Sequence, residues 1–418
     1  MEKKICITYY NFPHLGGISS IIDDLWEYLS TKYQTHIFIY KSEGDVTKYK
    51  DNIHICRNKS KVGPFIFPFI WFYLLFMTYN LWKFHKKYKF DLILSQDGFC
   101  TGLFSLIVGK FTGARVVIMD HGTVTNILDP TWEKMMREAT STKWKTLIRR
   151  MVFPLSKISF KIIIKFVTHL SNEFLFSGGE LENYYIQENV PAQKLKRYSH
   201  LVNTNLFKSL TLEEKNKQRR NLGISPSIIL INIITRLDEE KGFEYILPAL
   251  ERVRAEGKNN FIVLILGEGR RRKSIEEYID AHHMEGYVKL LGAQGREDVK
   301  KILQISDIHL YAGTIGCSVS IALLEAMACG CAVIATSTPI QHKNIVKPET
   351  GWVIPPKDID ALINSLLEAL SKQDKLKAMG ENSIKYIEEN HSFRAAGKYF
   401  NIFTQKFHEV ERSTGCKA

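Results

Sequence analysis

The sequence predicts an α/β protein made of two doubly wound parallel-sheet domains, and three observations carry that expectation. Short runs rich in β-branched residues alternate with helical patterns from the N-terminus onward. The same alternation restarts near residue 228, at "IILINIIT". Between the two series lies a polar, charged stretch that ends in turn residues, "TLEEKNKQRRNLGISP". A strand–helix alternation closes most economically as a parallel sheet with helices on both faces, and two successive series imply two such sheets.

The first series opens with the strand "KKICITYY", the turn "NFPHLGG" and a helix whose Ile18, Ile21, Ile22, Leu25 and Leu29 share one face. "THIFIYK", "DLILSQ" and "RVVIMDH" follow as strands. The second series runs through "IILINIIT", "FIVLILG", "YVKLLG", "DIHLYA" and "AVIAT". The expected organisation is residues 1–205, then 206–391, then a tail at 392–418 that packs back on the first domain through Phe393, Ala396, Phe400, Phe403 and Phe407. Ligands of such sheets sit at the carboxyl ends of the strands, so two facing domains would form a central cleft between those edges.

Composition bounds the class. The chain has 418 residues, 45% apolar and 24% charged, with room for two real cores. Seven scattered cysteines, of which Cys329 and Cys331 form the one close pair, lack the Cys and His neighbours of a metal set and read as reduced thiols of a cytoplasmic protein. "MEKKICITYY" lacks the apolar run of a signal peptide. The net charge is +13, and most of the excess falls within the first domain. That points to an anionic partner, and without a zinc finger, an RNP-type strand or a helix-turn-helix pattern nucleic acid is not expected.

Two segments suggest a membrane surface. "FIFPFIWFYLLFM" (65–77) is strongly apolar and is followed by Lys83, Lys86, Lys87 and Lys89, but is too short to span a bilayer. "KWKTLIRRMVFPLSKISFKIIIK" (143–165) is basic and amphipathic with no acidic residue. Each has a plainer alternative, a buried helix for the first and a solvated face on a core helix for the second.

Candidate chemistry concentrates in the second domain. In "TRLDEEKGF", Arg236 and Lys241 lie just past a strand end and can clamp a diphosphate, one as a fork and one as a point charge; ion pairs with Asp238, Glu239 or Glu240 are the alternative. Gly267, in "LILGEGRRRKSIEEYI", fits close approach of a phosphate or base, or any tight turn. In "GTIGCSVSIALLEAMACG" the small turn holding Cys317, Ser318, Val319 and Ser320 leaves helix amides open to an anion. Glu325, one carboxylate in an apolar helix, needs a partner: a ribose diol, or a nearby Arg or Lys.

Taken in order, "GG" before the first helix, "RLDEEKG", "LGEG", "LLGAQGREDV…ISDIHL" and "LLEAMACGCAVIAT" resemble the GT-B glycosyltransferases of glycosyltransferase family 4, the group 1 transferases. The likeness covers most of the chain and is strongest from Ile228 to Pro355. It implies two Rossmann-like domains, a nucleotide-sugar donor (UDP- or GDP-linked) on the second, an acceptor on the first, retention at the anomeric carbon, and no metal or cofactor. By the same resemblance Arg236 and Lys241 hold the donor diphosphate, Glu325 binds the nucleotide ribose, Gly16 and Gly17 admit a phosphate or sugar at the first helix, and His121 faces the donor sugar. Asp358-Ile359-Asp360 reads as a helix cap rather than a metal motif.

Two departures stand out. Cys317 occupies the place of the family's first glutamate, and a thiol does not reproduce a carboxylate's paired acceptance from two hydroxyls. "HLVNTNLF" carries Leu201 and Asn203 where the family has glycine and aspartate. The expectation is a retaining hexosyl- or related glycosyltransferase acting on a lipid-linked saccharide in polysaccharide or lipopolysaccharide assembly, cytoplasmic and peripheral on the inner face of the membrane. The alternatives are a non-catalytic sugar-nucleotide-binding protein, or an epimerase or sugar-phosphate synthase on the same fold.

Overall fold

The computed structural model describes residues 2–13, 16–56, 69–122, 158–159, 161–178, 180–316, 318–338, 342–395 and 397. Cys317, residues 65–68, most of the basic segment 143–165 and most of the tail lie outside them. The chain divides into two contact units, Met1–Tyr198 and Ser199–Ala418.

The first unit holds β1 (Lys4–Asn11), β2 (Gln34–Lys41), β3 (Ile53–Ile55), β4 (Leu92–Ser95), β5 (Arg115–Asp120), β6 (Glu173–Phe176) and β7 (Leu195–Arg197). They form one parallel sheet in the order β3-β2-β1-β4-β5-β6-β7. Ile5, Cys6, Ile7, Ile37, Phe38 and Ile39 are wholly buried, as expected of a parallel sheet covered on both faces. The helix Gly17–Ser30 buries Ile21, Ile22, Leu25 and Leu29, the face its periodicity marks. Helices Phe69–Tyr88 and Cys100–Thr112 pack on each other. Strand order reverses between β1 and β4, which opens a crevice at their carboxyl ends.

The second unit holds β8 (Ile229–Ile234), β9 (Phe261–Leu266), β10 (Val288–Gly292), β11 (Ile308–Tyr311), β12 (Ala332–Thr336) and β13 (Gly351–Ile354). All pair in parallel in the order β10-β9-β8-β11-β12-β13, with the reversal between β8 and β11. Helices Phe243–Ala255, Arg272–Ala281 and Ile359–Ser371 bury Ile246, Leu250, Ile275 and Leu366 against one face of that sheet.

The charged stretch read as a boundary is instead a helix, Leu212–Asn221, opened by a capping box between Thr211 and Glu214. Its polar sequence conceals one buried cation. Arg219 donates to Asp307 Oδ2 (2.5 Å), to the Ile305 carbonyl (2.6 and 2.9 Å) and to the Ile228 carbonyl (3.1 Å). Asp307 also accepts from the Leu230 amide and Lys215 Nζ, both at 2.8 Å. Asp358 caps the helix Ile359–Ser371 by accepting from the Ala361 amide at 2.9 Å, the structural role its motif suggested.

Several histidines are buried in neutral form. Burial lowers His36 to about 4, His121 to about 3, His309 to about 3 and His342 to about 4. His36 packs among Phe84, Tyr88 and Phe90, and among the described residues its ring nitrogens have no hydrogen-bond partner.

Two tests follow from this packing. Arg219→Ala removes the donor to the Ile305, Ile228 and Pro226 carbonyls and one of the partners of Asp307, so it lowers the unfolding free energy by about 2–4 kcal/mol in a urea titration of the full chain. His36 is lowered from its unfolded value, so the unfolded chain binds the extra proton: the stability is whole above pH 6.5 and falls as pH drops toward 4. His36→Phe therefore melts higher than wild type at pH 5 by a larger margin than at pH 8; equal margins at the two pH values contradict the burial.

Candidate functional site

The cationic loop of the second unit sits at the β8/β11 reversal. Beyond the end of β8 the chain continues pairing with the turn after β9: the Thr235 amide donates to the Leu266 carbonyl (3.0 Å), the Leu237 amide to Glu268 O (2.9 Å) and the Arg271 amide to Leu237 O (2.8 Å). Glycine is required at two of these contacts. Gly267 has φ +144 and a Cβ there would lie 1.8 Å from the Thr235 carbonyl oxygen. Gly242 has φ +74 and a Cβ would lie 2.1 Å from the Ala312 oxygen. From the other side, the Thr314 amide donates to the Glu240 carbonyl at 2.9 Å. The loop carrying Arg236 and Lys241 is thus fastened to the ends of β9 and β11 together. Gly267 acts here through backbone packing.

Arg236 projects from this loop with its side chain 64% exposed, donating to Asp238 Oδ2 (2.6 Å) and Glu240 Oε1 (2.9 Å). These are the ion pairs weighed as the alternative. An exposed pair of this kind contributes roughly 0–1 kcal/mol, so Arg236 is only weakly held by Asp238 and Glu240. Lys241 lies 3.8 Å from Glu240 and is mostly covered. Asp238 in addition accepts from the Arg270 side chain at 3.5 Å, which brings a third cation to the same edge.

The small turn after β11 leads into the helix Ile321–Ala328. Its amides are not all open, contrary to the expectation from residue size. The Ser320 amide donates to His342 Nε2 at 3.4 Å, and His342 Nδ1 in turn donates to the Thr336 carbonyl at 3.0 Å. Ser318 Oγ is hydrogen-bonded to His200 Nε2 at 3.0 Å, and Val319 is buried. Glu325 is 5% exposed, with Arg296 Nη2 at 3.9 Å from its Oε1 and the Arg296 guanidinium over the Phe207 ring. That separation is an ion pair rather than a direct hydrogen bond.

In the first unit, Gly16 precedes the helix Gly17–Ser30 with φ +149, and its carbonyl accepts from the Ser19 amide. Gly17 is the first helical residue. His121 follows β5 and is buried, with Nε2 3.0 Å from Gln96 Oε1 and Nδ1 bonded to the Tyr198 hydroxyl. Contact of either ring nitrogen with a sugar requires one of these bonds to open. Neighbouring Asp120 accepts from the Tyr185 hydroxyl at 2.7 Å, and Asp97 accepts from the Phe99 amide at 2.7 Å while burial raises its carboxyl.

Gln96, Asp97, Asp120, Tyr185 and Tyr198 gather at the strand edge of the first unit, and His200, Arg296 and His342 at that of the second; sequence reading named none of them. A polar residue in or beside an apolar strand, as in "DLILSQD" and "VVIMDH", was the available signal. Asn203, where the resemblance expects aspartate, accepts from the Asn205 amide (3.1 Å) and the Leu206 amide (3.3 Å), a turn that an aspartate also makes. Among the described residues, no group of three or more His, Cys, Asp or Glu side chains is placed to hold a metal ion.

Comparison with known proteins agrees with this geometry. Residues 214–386 match the family model described as glycosyl transferases group 1. An uncharacterized glycosyltransferase of Methanocaldococcus jannaschii is 23% identical over 96% of this chain and 98% of its own length. The GDP-mannose-dependent monoacylated alpha-(1-6)-phosphatidylinositol monomannoside mannosyltransferase of Corynebacterium glutamicum is 30% identical over 48% of this chain and 54% of its own. Among solved structures, Anabaena HepE in complex with UDP and glucose superposes with a TM-score of 0.74 at 14% identity, over 97% of this chain and 100% of that one. Residues 214–386 thus match the glycosyl transferases group 1 model, and the chain as a whole has the GT-B fold and glycosyltransferase homologues.

Proposed function

We propose that this chain is a retaining glycosyltransferase of family 4 that moves a sugar from a nucleotide donor to a hydroxyl of a lipid-linked saccharide, with no cofactor. One observation carries the reading: two cations, Arg236 and Lys241, stand on a loop fastened at the β8/β11 reversal. In the reaction the bond from the anomeric carbon to the diphosphate oxygen breaks and a bond to the acceptor oxygen forms, releasing the nucleoside diphosphate and the hydroxyl's proton. Negative charge grows on the diphosphate as that bond breaks, and preoriented cations stabilise it more in the transition state than in the ground state. Glu325 anchors the ribose from the helix Ile321–Ala328, and the Ser318–Ser320 turn lies beside the sugar. The relatives support the substrate class: HepE holds UDP or UDP-glucose in its structures, and the corynebacterial relative is named for a GDP-mannose donor and a phosphatidylinositol-linked acceptor.

The lipid-linked acceptor is supported by the first unit's surface. Among the described residues no helix is long and apolar enough to cross a membrane. Yet the helix Phe69–Tyr88 leaves Phe72 68%, Leu75 70% and Tyr79 60% exposed on one stripe, which continues into Lys83 and Lys86. The helical segment at 161–170 exposes Ile162, Phe166 and Leu170, with Lys161 and Lys165 directly preceding the first two. Apolar side chains interleaved with lysines, and no carboxylate on either stripe, complement an anionic bilayer rather than a second copy of the same basic face. The protein then works peripherally at the inner face of the membrane.

A screen of UDP- and GDP-sugars, reading binding and transfer, identifies the donor, and NMR of the product gives the anomer. Arg236→Ala and Lys241→Ala each lower kcat/KM by about 10²–10³-fold with the fold intact; full activity in both removes the diphosphate clamp. Nucleotide binding with no hydrolysis or transfer by wild type would instead favour a non-catalytic binding protein, and donor turnover without acceptor an epimerase or synthase. Replacing Lys161 and Lys165 with Gln and Phe166 with Ser weakens cosedimentation with vesicles containing phosphatidylglycerol, and wild type ignores neutral vesicles. Undiminished vesicle binding, or a wild-type dimer held through these stripes, contradicts the membrane face.

A further inference from the structure

In the turn between β11 and the helix Ile321–Ala328, Val319 is the one buried side chain among the described residues 314–320, and most of its neighbours are small. Gly316, Ser318 and Ser320 bring almost no apolar surface, and a glycine or serine in a turn keeps wide backbone freedom. Beside the buried Val319, polar ties help set the conformation, and two histidines supply two of them from distant parts of the second unit. His200, 118 residues before Ser318 and almost fully buried, bonds its hydroxyl through Nε2 at 3.0 Å. His342, 22 residues beyond Ser320 and fully buried, accepts from its amide at 3.4 Å.

Each histidine is itself held. The His200 carbonyl accepts from His391 Nδ1 at 2.8 Å, and two residues on, the Val202 amide donates to the His391 carbonyl at 2.9 Å. His391 follows the helix Gln373–Asn390, so the 200–202 segment is braced against that helix end. His342 is fixed by its Nδ1 bond to the Thr336 carbonyl at the end of β12 and by the edge of the Tyr311 ring at 4.9 Å. The Nδ1 bond assigns the tautomer, leaving Nε2 as the acceptor that the Ser320 amide needs.

We propose that His200 and His342 are positioning residues that hold the Ser318–Ser320 turn in the shape that receives the donor's diphosphate and sugar. This rests on the glycosyltransferase reading above. Neither side chain is proposed to touch the reacting atoms. Both act on donor binding by fixing a turn that would otherwise sample many conformations, which reduces the fraction of protein competent to bind.

The test uses the full chain with the donor found by the screen. His200→Ala raises donor KM and the dissociation constant of the matching nucleoside diphosphate about tenfold, while kcat changes by less than about threefold and the protein stays folded by circular dichroism. His200→Gln, which keeps a polar atom near Nε2, recovers most of the loss. Ser318→Ala reproduces the His200→Ala effect, and the double variant is no worse than the stronger single one, because both remove one bond. His342→Phe weakens donor binding and His342→Gln restores it; should His342→Phe fail to fold, the His200 and Ser318 cycle decides alone. Unchanged donor KM in His200→Ala, multiplied effects in the double variant, or a change confined to acceptor KM overturns the proposal. A wild-type chain that binds no nucleotide overturns both this and the reading beneath it, whereas wild-type activity with indifferent variants removes only the positioning role.

Discussion

At the β8/β11 reversal three backbone segments approach too closely for any side chain to stand between them. The Thr235 carbonyl fills the space where Gly267 would carry a Cβ, and the Ala312 carbonyl does the same at Gly242. Much else in the second unit depends on that contact. It turns the end of β8 into a short extension of the sheet, paired with the turn after β9 on one side and with Thr314 on the other. Arg236 and Lys241 ride on this extension, so their position is set by backbone hydrogen bonds rather than by the side-chain packing of an ordinary surface loop. The anchored backbone fixes where these two side chains begin, which is one part of preorganised electrostatic stabilisation.

The two units solve the same edge differently. In the second, Arg236 stands near solvent in exposed ion pairs, while Lys241 and Glu325 are mostly covered. In the first, the polar groups at the corresponding crevice are buried and bonded to one another: His121 to Gln96 and Tyr198, Asp120 to Tyr185, Asp97 to the start of the helix Cys100–Thr112. Buried polar networks are costly when half satisfied, so a neutral His121 with both nitrogens engaged reads as a rigid wall with a polar surface. A ligand there would have to reshape an existing set of hydrogen bonds, whereas one meeting Arg236 would compete with exposed ion pairs.

The sequence carried the fold class in its alternation of apolar strands and amphipathic helices, and most of the longer strands were legible from β-branched runs. The strands β3, β6, β7 and β13, three or four residues each, were not read, whereas β4 and β11, equally short, were visible in the runs "DLILSQ" and "DIHLYA". The Leu212–Asn221 helix was missed because a surface helix with one buried arginine has no apolar stripe; the Thr211 and Glu214 box was its one local mark. Arg236, Lys241 and Glu325 were visible because a charge beside or inside an apolar element demands a reason. His200 and His342 were not, since each acts on a turn far away in sequence, and only the folded chain shows that their ring nitrogens meet Ser318 and Ser320. Residue size suggested open amides at that turn, whereas the structure directs one of them to a histidine.

The central claim is that a sugar nucleotide binds at the carboxyl-end edge of the second sheet, against the loop fastened by Gly242 and Gly267. Hydrogen–deuterium exchange of the full chain, with and without a saturating UDP- or GDP-sugar, measures this directly. The expected result is slowed exchange of amides at 235–242, 267–272 and 318–325, with little change in the helix Leu212–Asn221 on its far side. Protection confined to other segments, or none with any nucleotide sugar at millimolar concentration, would contradict it.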